Sequence, residues 1–110
     1  MAKCRVTVIK TYYDDQIAQN YLKNYQPDQP EKCPYFEEGQ SFLLDEDMAM
    51  PEGFCPMAWQ TAIDKFAFAL IHGAGRFYGG TWMKEDNQIV TCCIDGVRPV
   101  AFLLERVDGN

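Results

Sequence analysis

Residues 88–107 read QIVTCCIDGVRPVAFLLERV, and the reading of this stretch decides the fold. Two runs rich in β-branched and apolar residues, 88–94 and 99–107, flank Asp95-Gly96, a dipeptide that favours a tight β-hairpin turn. Pro99 modifies that reading because it has no N–H to donate to a ladder. Either the turn is wider than two residues or the second strand lies at a sheet edge. Both runs are apolar on both of their faces, which predicts a sheet covered on each side or one that meets another subunit.

Working outward, residues 4–11 (CRVTVIKT) alternate and are β-branched, the pattern of a strand. Asp14 or Asp15 caps a following helix in which Ile17, Tyr21, Leu22 and Tyr25 form one apolar stripe. Pro27, Pro30 and Pro34 make residues 26–34 a loop. Residues 40–44, after Gly39, form a short strand, and 45–53 are acidic and irregular. The strongest helix signal begins at Cys55-Pro56, since proline suits the first helical position, where an N–H is not needed. Trp59, Ile63, Phe66 and Leu70 then recur at helical spacing, and Gly73 supplies a stop. Residues 73–80 (GAGRFYGG) are a glycine-rich turn region matching neither the dinucleotide fingerprint nor the phosphate loop. An anion site at Arg76 has no further support. The expected architecture is a single α+β domain over 1–110, with about four mainly antiparallel strands, two helices and a C-terminal β-hairpin.

At 110 residues, with 47% hydrophobic and 14% aromatic content, the chain can bury a core without obligatory staples. A net charge of −6 disfavours nucleic acid and anionic lipid as partners, because neutralising phosphates needs a basic surface. No stretch approaches the ~20 apolar residues of a membrane span, and the N-terminus lacks the apolar core of a signal peptide. A cytoplasmic location is expected, and with five cysteines, an odd number, a full disulfide framework is not.

The cysteines are the candidate chemistry. Cys33 and Cys55 each precede a proline, and Cys92 and Cys93 are adjacent. Cys55 falls at a helix start, where backbone N–H groups and the helix dipole favour a thiolate; the alternative is that its sulfur fills the core beside Phe54. Cys92 and Cys93 point to opposite faces of a regular strand, which leaves core packing for at least one of them. Cys4 is incidental. A metal site built from Cys33, Cys55, Cys92 and Cys93 would suit zinc or an iron–sulfur cluster by ligand type. The short CxxC spacings that usually accompany such sites are absent. His72, the only histidine, lies 17 residues after Cys55, roughly 25 Å away along a continuous helix at ~1.5 Å per residue, which rules out a Cys–His dyad there. Glu38 and Glu52 precede glycines and either cap turns or enter a pocket. Asp95 is explained by its turn. Arg98 binds a carboxylate or phosphate, or pairs with Glu38.

Three segments combine cysteine, glycine and aromatic residues: CPYFEEGQSF (33–42), PEGFCPMAW (51–59) and CCIDGVRPVAF (92–102). In this order they resemble the signature of a small, functionally uncharacterised prokaryotic family of single domains about this long. The resemblance runs from Val6 to Glu105-Arg106 and implies an aromatic residue where Met57 stands. It brings no activity with it. The leading expectation is a cysteine-lined site for a small ligand or a metal, with Glu38, Gln40, Glu52, Trp59 and Arg98 as ligand-binding candidates. One rival is a thiol redox or nucleophilic enzyme that uses Cys55, with Cys93 or Cys33 as resolving partner. The other is a noncatalytic homo-oligomer joined through the apolar final strands.

Overall fold

In the computed structural model, which describes residues 2–73 and 80–108, four strands form one antiparallel sheet in the order β2-β1-β4-β3. β1 (Ala2–Thr11) and β4 (Val100–Asp108) are long and central, while β2 (Ser41–Leu44) and β3 (Gln88–Cys92) are short edges. Helix α1 spans Asp15–Tyr21. A second helical run, α2, occupies 56–71: α-helical over Pro56–Ala58, π-helical over Trp59–Ile63 and α-helical again over Asp64–Ile71. The expected α+β arrangement, with its C-terminal β3–β4 hairpin, is therefore present.

Alternation along β1 buries Cys4, Val6 and Val8 on one face and turns Arg5 away. On β4, Val100, Phe102 and Leu104 are buried beside them, with Val8 opposite Phe102 and Val6 opposite Leu104. The β1–β4 register slips between Val8 and Lys10, a bulge that brings Thr11, opposite Val100, back to the buried side. Helix α2 covers this face with Ala62, Ile63, Ala67 and Leu70, and Gly73, at φ +85°, ends it. Ile63, Leu70 and the partly buried Trp59 and Phe66 are the stripe that sequence spacing predicts. The π turn is not legible from that spacing. The Thr61 hydroxyl donates to the Met57 carbonyl at 2.7 Å, giving that carbonyl a partner beside the widened turn.

Two expectations need correction. Asp14 does cap α1, accepting from the Ile17 N–H at 2.9 Å, yet the predicted apolar stripe is not buried. Only Ala18 is buried; Ile17 and Leu22 are exposed, and Tyr21 retains 81% of its surface. The helix is too short for the stripe, because the chain turns extended at Leu22 and leaves Tyr25 outside it. The Asp95-Gly96 pair does not form a two-residue hairpin turn; residues 93–99 make a wider loop. Pro99 precedes a central strand, so the wide turn, and not an edge position, accommodates it. Asp14 N–H donates to the Val97 carbonyl at 2.7 Å and Tyr12 N–H to that of Pro99 at 2.9 Å, which ties the loop to the chain after β1. The sheet face opposite α2 has no covering element among the described residues. Gly75, Arg76 and Gly79 lie outside the described residues. No helix among the described residues is long and apolar enough to cross a membrane.

One aromatic cluster locks the layers together. The Phe54 ring meets Phe36 at 5.0 Å, Phe42 at 5.1 Å, Trp59 at 5.9 Å and Phe102 at 6.1 Å between centroids. Phe54 and Phe36 are almost fully buried and Phe102 completely so. Replacing Phe54 with alanine should cost about 3–5 kcal/mol in urea unfolding, the usual range for a buried phenylalanine. A loss below about 1 kcal/mol would contradict this role.

Candidate functional site

Cys33, Cys55 and Cys93, each from a different segment, line one cavity of about 230 Å³. Its walls are largely apolar, with Tyr35, Phe36, Met57, Ala58 and Ile94, and Asp95 and Arg98 bring polar groups to it. Local sequence explains each placement. Cys33 lies just ahead of Phe36, whose ring is wedged edge-on against Phe54 and Phe102. Cys55 follows the Phe54 hub directly and occupies the N-cap of α2, with Pro56 as first helical residue, as the sequence predicts. Its side chain makes no capping hydrogen bond, while its carbonyl accepts from the Trp59 N–H at 2.9 Å. Cys93 sits just past β3, where its N–H donates to the Val100 carbonyl at 3.1 Å and its Sγ accepts from the Val100 N–H at 3.3 Å.

The polar end of the cavity is built by the β3–β4 loop. Asp95 Oδ1 accepts from the N–H groups of Val97 (2.8 Å) and Arg98 (2.9 Å), and Arg98 Nε lies 3.5 Å from Asp95 Oδ2. Partial burial pushes the Asp95 carboxyl up, but the Arg98 and Val97 N–H bonds and the Arg98 guanidinium outweigh it. The carboxyl is held below its usual range. Asp95 is thus a turn residue, as expected, and Arg98 pairs with it and not with Glu38.

The five cysteines are all free thiols in different settings. Cys92, opposite Ala101, is exposed on the other face of the sheet, so the adjacent pair does diverge and only Cys93 reaches the cavity. Cys4 is wholly buried in the core. Among the described residues, no group of three or more His, Cys, Asp or Glu side chains is placed to hold a metal ion, so the cavity geometry does not support the zinc or iron–sulfur reading. His72 lies against Phe68, with ring centroids 4.3 Å apart and the planes tilted by 42°, at the far end of α2 from Cys55.

The remaining ligand-binding candidates do not line this cavity. Glu38 Oε2 accepts from the Thr11 N–H at 2.9 Å and lies 3.4 Å from the Thr11 hydroxyl. The N–H bond holds the Glu38 carboxyl below its ordinary value and fastens the loop before β2 to the end of β1. Gln40 closes its own turn by accepting from the Glu37 N–H at 2.9 Å, and its carbonyl accepts from the Val8 N–H. Glu52 is exposed beside Gly53, whose φ of +78° makes the turn. Trp59 packs on Phe54. Sequence reasoning passed over Tyr35, Phe36, Met57, Ala58 and Ile94 as wall residues. The signal was available, since each lies within three positions of a cavity cysteine.

Comparison with protein families, with curated proteins and with solved structures returns no match to this chain.

Two outcomes follow from these placements. N-Ethylmaleimide under native conditions should label exposed Cys92 first and Cys4 only on unfolding. Among Cys33, Cys55 and Cys93, the first adduct should slow the other two by about fivefold or more, the effect of overfilling a cavity at 1–3 kcal/mol. Independent labelling of all three, read by intact mass and peptide mapping, would contradict a shared cavity. Separately, burial pushes the Cys4 thiol from its ordinary 9.0 up to about 11. Because the folded value is the higher one, the stabilisation is complete below pH 9 and is lost as pH rises from 9 toward 11. Unfolding free energies of wild type and Cys4→Ala should therefore converge over that window, and a constant difference would contradict the burial argument.

Proposed function

We propose that this chain is a small-molecule-binding protein whose ligand occupies the cavity among Cys33, Cys55 and Cys93. The observation that carries this reading is the meeting of three cysteines from distant segments around one largely apolar space of about 230 Å³. That volume lies below the ~300–1,000 Å³ of sites for drug-sized ligands. Since a 150 Å³ cavity accommodates benzene, it suits a ligand of roughly nine non-hydrogen atoms. The body of the ligand is apolar, packing on Phe36, Met57, Ala58 and Ile94, and its one polar group meets the Asp95–Arg98 pair, which offers both an acceptor and a donor. The three wall segments are those that resemble the small prokaryotic family.

A metal-centred version is less favoured, given the absence of a ligand cluster among the described residues. The thiol-enzyme reading uses the same cavity, with Cys55 as the reacting group and Cys93 or Cys33 as its partner. It lacks a histidine to serve as base, since the only one lies against Phe68 at the other end of α2.

The test is a ligand-observed NMR screen of small aromatic or aliphatic fragments, each bearing one polar group, against wild type and Ala58→Phe. Ala58 is buried at the cavity wall, so the larger ring fills the space. Fragments should bind wild type and lose binding about fivefold or more to the filled variant, in line with the 1–3 kcal/mol cost of overpacking. Equal binding to both proteins would overturn the assignment.

A further inference from the structure

The sheet has two faces, and α2 covers only one of them. The other carries Leu43 at 53% exposure, Val90 at 45% and Ile9 at 42%, around Thr7 and the half-buried Leu103. A row of cross-strand neighbours crosses this face as Leu43, Arg5, Glu105 and Gln88, and the next row is Ser41, Thr7, Leu103 and Val90. Its charges are ordered by strand. β1 presents Lys3, Arg5 and Lys10, whereas β4 presents Ala101, Leu103, Glu105 and Val107. Lys3 is paired with Asp45 at 3.3 Å and Lys10 lies over the Tyr12 ring at 5.3 Å. Arg5 is exposed and makes no ion pair among the described residues. Glu105 accepts only a neutral donor, Gln88 Nε2, at 3.0 Å among the described residues.

We propose that this open face is the self-complementary interface of a two-fold dimer in which Arg5 of each copy meets Glu105 of the other. A dimer of identical chains must match one patch to itself about an axis. An axis lying between the sheets, parallel to the strands and midway between β1 and β4, sets each β1 over the other copy's β4. Arg5 then faces Glu105 and Thr7 faces Leu103 in both directions, because each pair occupies the same register row. An axis across the strands would instead set cation against cation along β1. The open face carries three cations and one carboxylate, a local sign opposite to the chain's net charge of −6, and Lys3 is already paired with Asp45. Strands of 10, 4, 5 and 9 residues give a flat footprint of roughly 450 Å² at ~3.3 Å rise and ~4.8 Å spacing. That is below the ~800 Å² per partner of a standard interface, so the dimer is a concentration-dependent one.

Sedimentation equilibrium of the full chain, from micromolar to millimolar, tests this. Wild type should pass from monomer to dimer over that range. Arg5→Glu and Glu105→Arg should each raise the dissociation constant by about tenfold or more, the coupling of a close charge pair. The double exchange Arg5→Glu/Glu105→Arg should recover most of the loss, with circular dichroism and urea unfolding confirming that each variant folds. If a single variant fails to fold, Leu43→Glu, at an exposed edge position of the same face, should weaken the dimer instead. A wild type that stays monomeric to millimolar concentration would overturn the proposal. So would a dimer indifferent to these substitutions, or one to which the double exchange brings no recovery.

Discussion

Phe54 is the ring on which the described structure turns. It stands alone in a loop with little regular structure, two residues before α2, yet it touches Phe36 and Phe42 from the segment before it, Trp59 from α2 and Phe102 from the central strand β4. Three of these contacts are edge-on, the geometry that matches the positive rim of one ring to the negative face of another, worth about 0.5–1.5 kcal/mol each beyond burial. The loops that flank β2 on the way to α2 have few backbone ladders of their own to fix them, and where the Phe36 and Phe54 rings must go largely sets their conformation, while Phe42 is held in β2 opposite Val6. The cavity is a consequence, because Cys33 and Cys55 are carried by residues adjoining two of those rings, and Cys93 closes the ring from the end of β3.

The cysteines divide according to backbone position. Cys4 lies in the alternation of a buried strand and has become part of the core, where loss of solvation suppresses its ionisation. Cys92 and Cys93 are neighbours in sequence and strangers in space: strand alternation sends the first to the open face, and the second leaves the ladder to join the cavity. Cavity and open face thus lie on opposite sides of one sheet, and a ligand in the first and a second copy on the other do not compete for surface.

Much of the fold was legible. The β-branched runs, the Pro56 helix start and the Trp59, Ile63, Phe66 and Leu70 spacing are local signals, and each corresponds to a real element. Failures occurred where tertiary context outweighed local pattern. The Ile17, Tyr21 and Leu22 stripe has the right period but no surface to pack on, and Asp95-Gly96 yielded to Pro99 and to an Asp95 carboxylate that organises a wider loop. Glu38 was unreadable because its partner, Thr11, is 27 residues away and acts through a backbone N–H that any residue but proline would offer. The convergence of Cys33, Cys55 and Cys93 was foreseeable as a possibility, since each is embedded among aromatic and apolar residues. Only the long-range ring contacts decide it.

The most direct test of the central role of Phe54 is a nuclear Overhauser experiment on protein with specifically labelled phenylalanine and tryptophan rings. Ring protons of Phe54 should show cross-peaks to Phe36, Phe42, Phe102 and Trp59 at once, since all four centroids lie within 6.1 Å. A Phe54 ring without cross-peaks to Phe36 and Phe102 would contradict the account, because the cysteine segments would then have nothing to gather them.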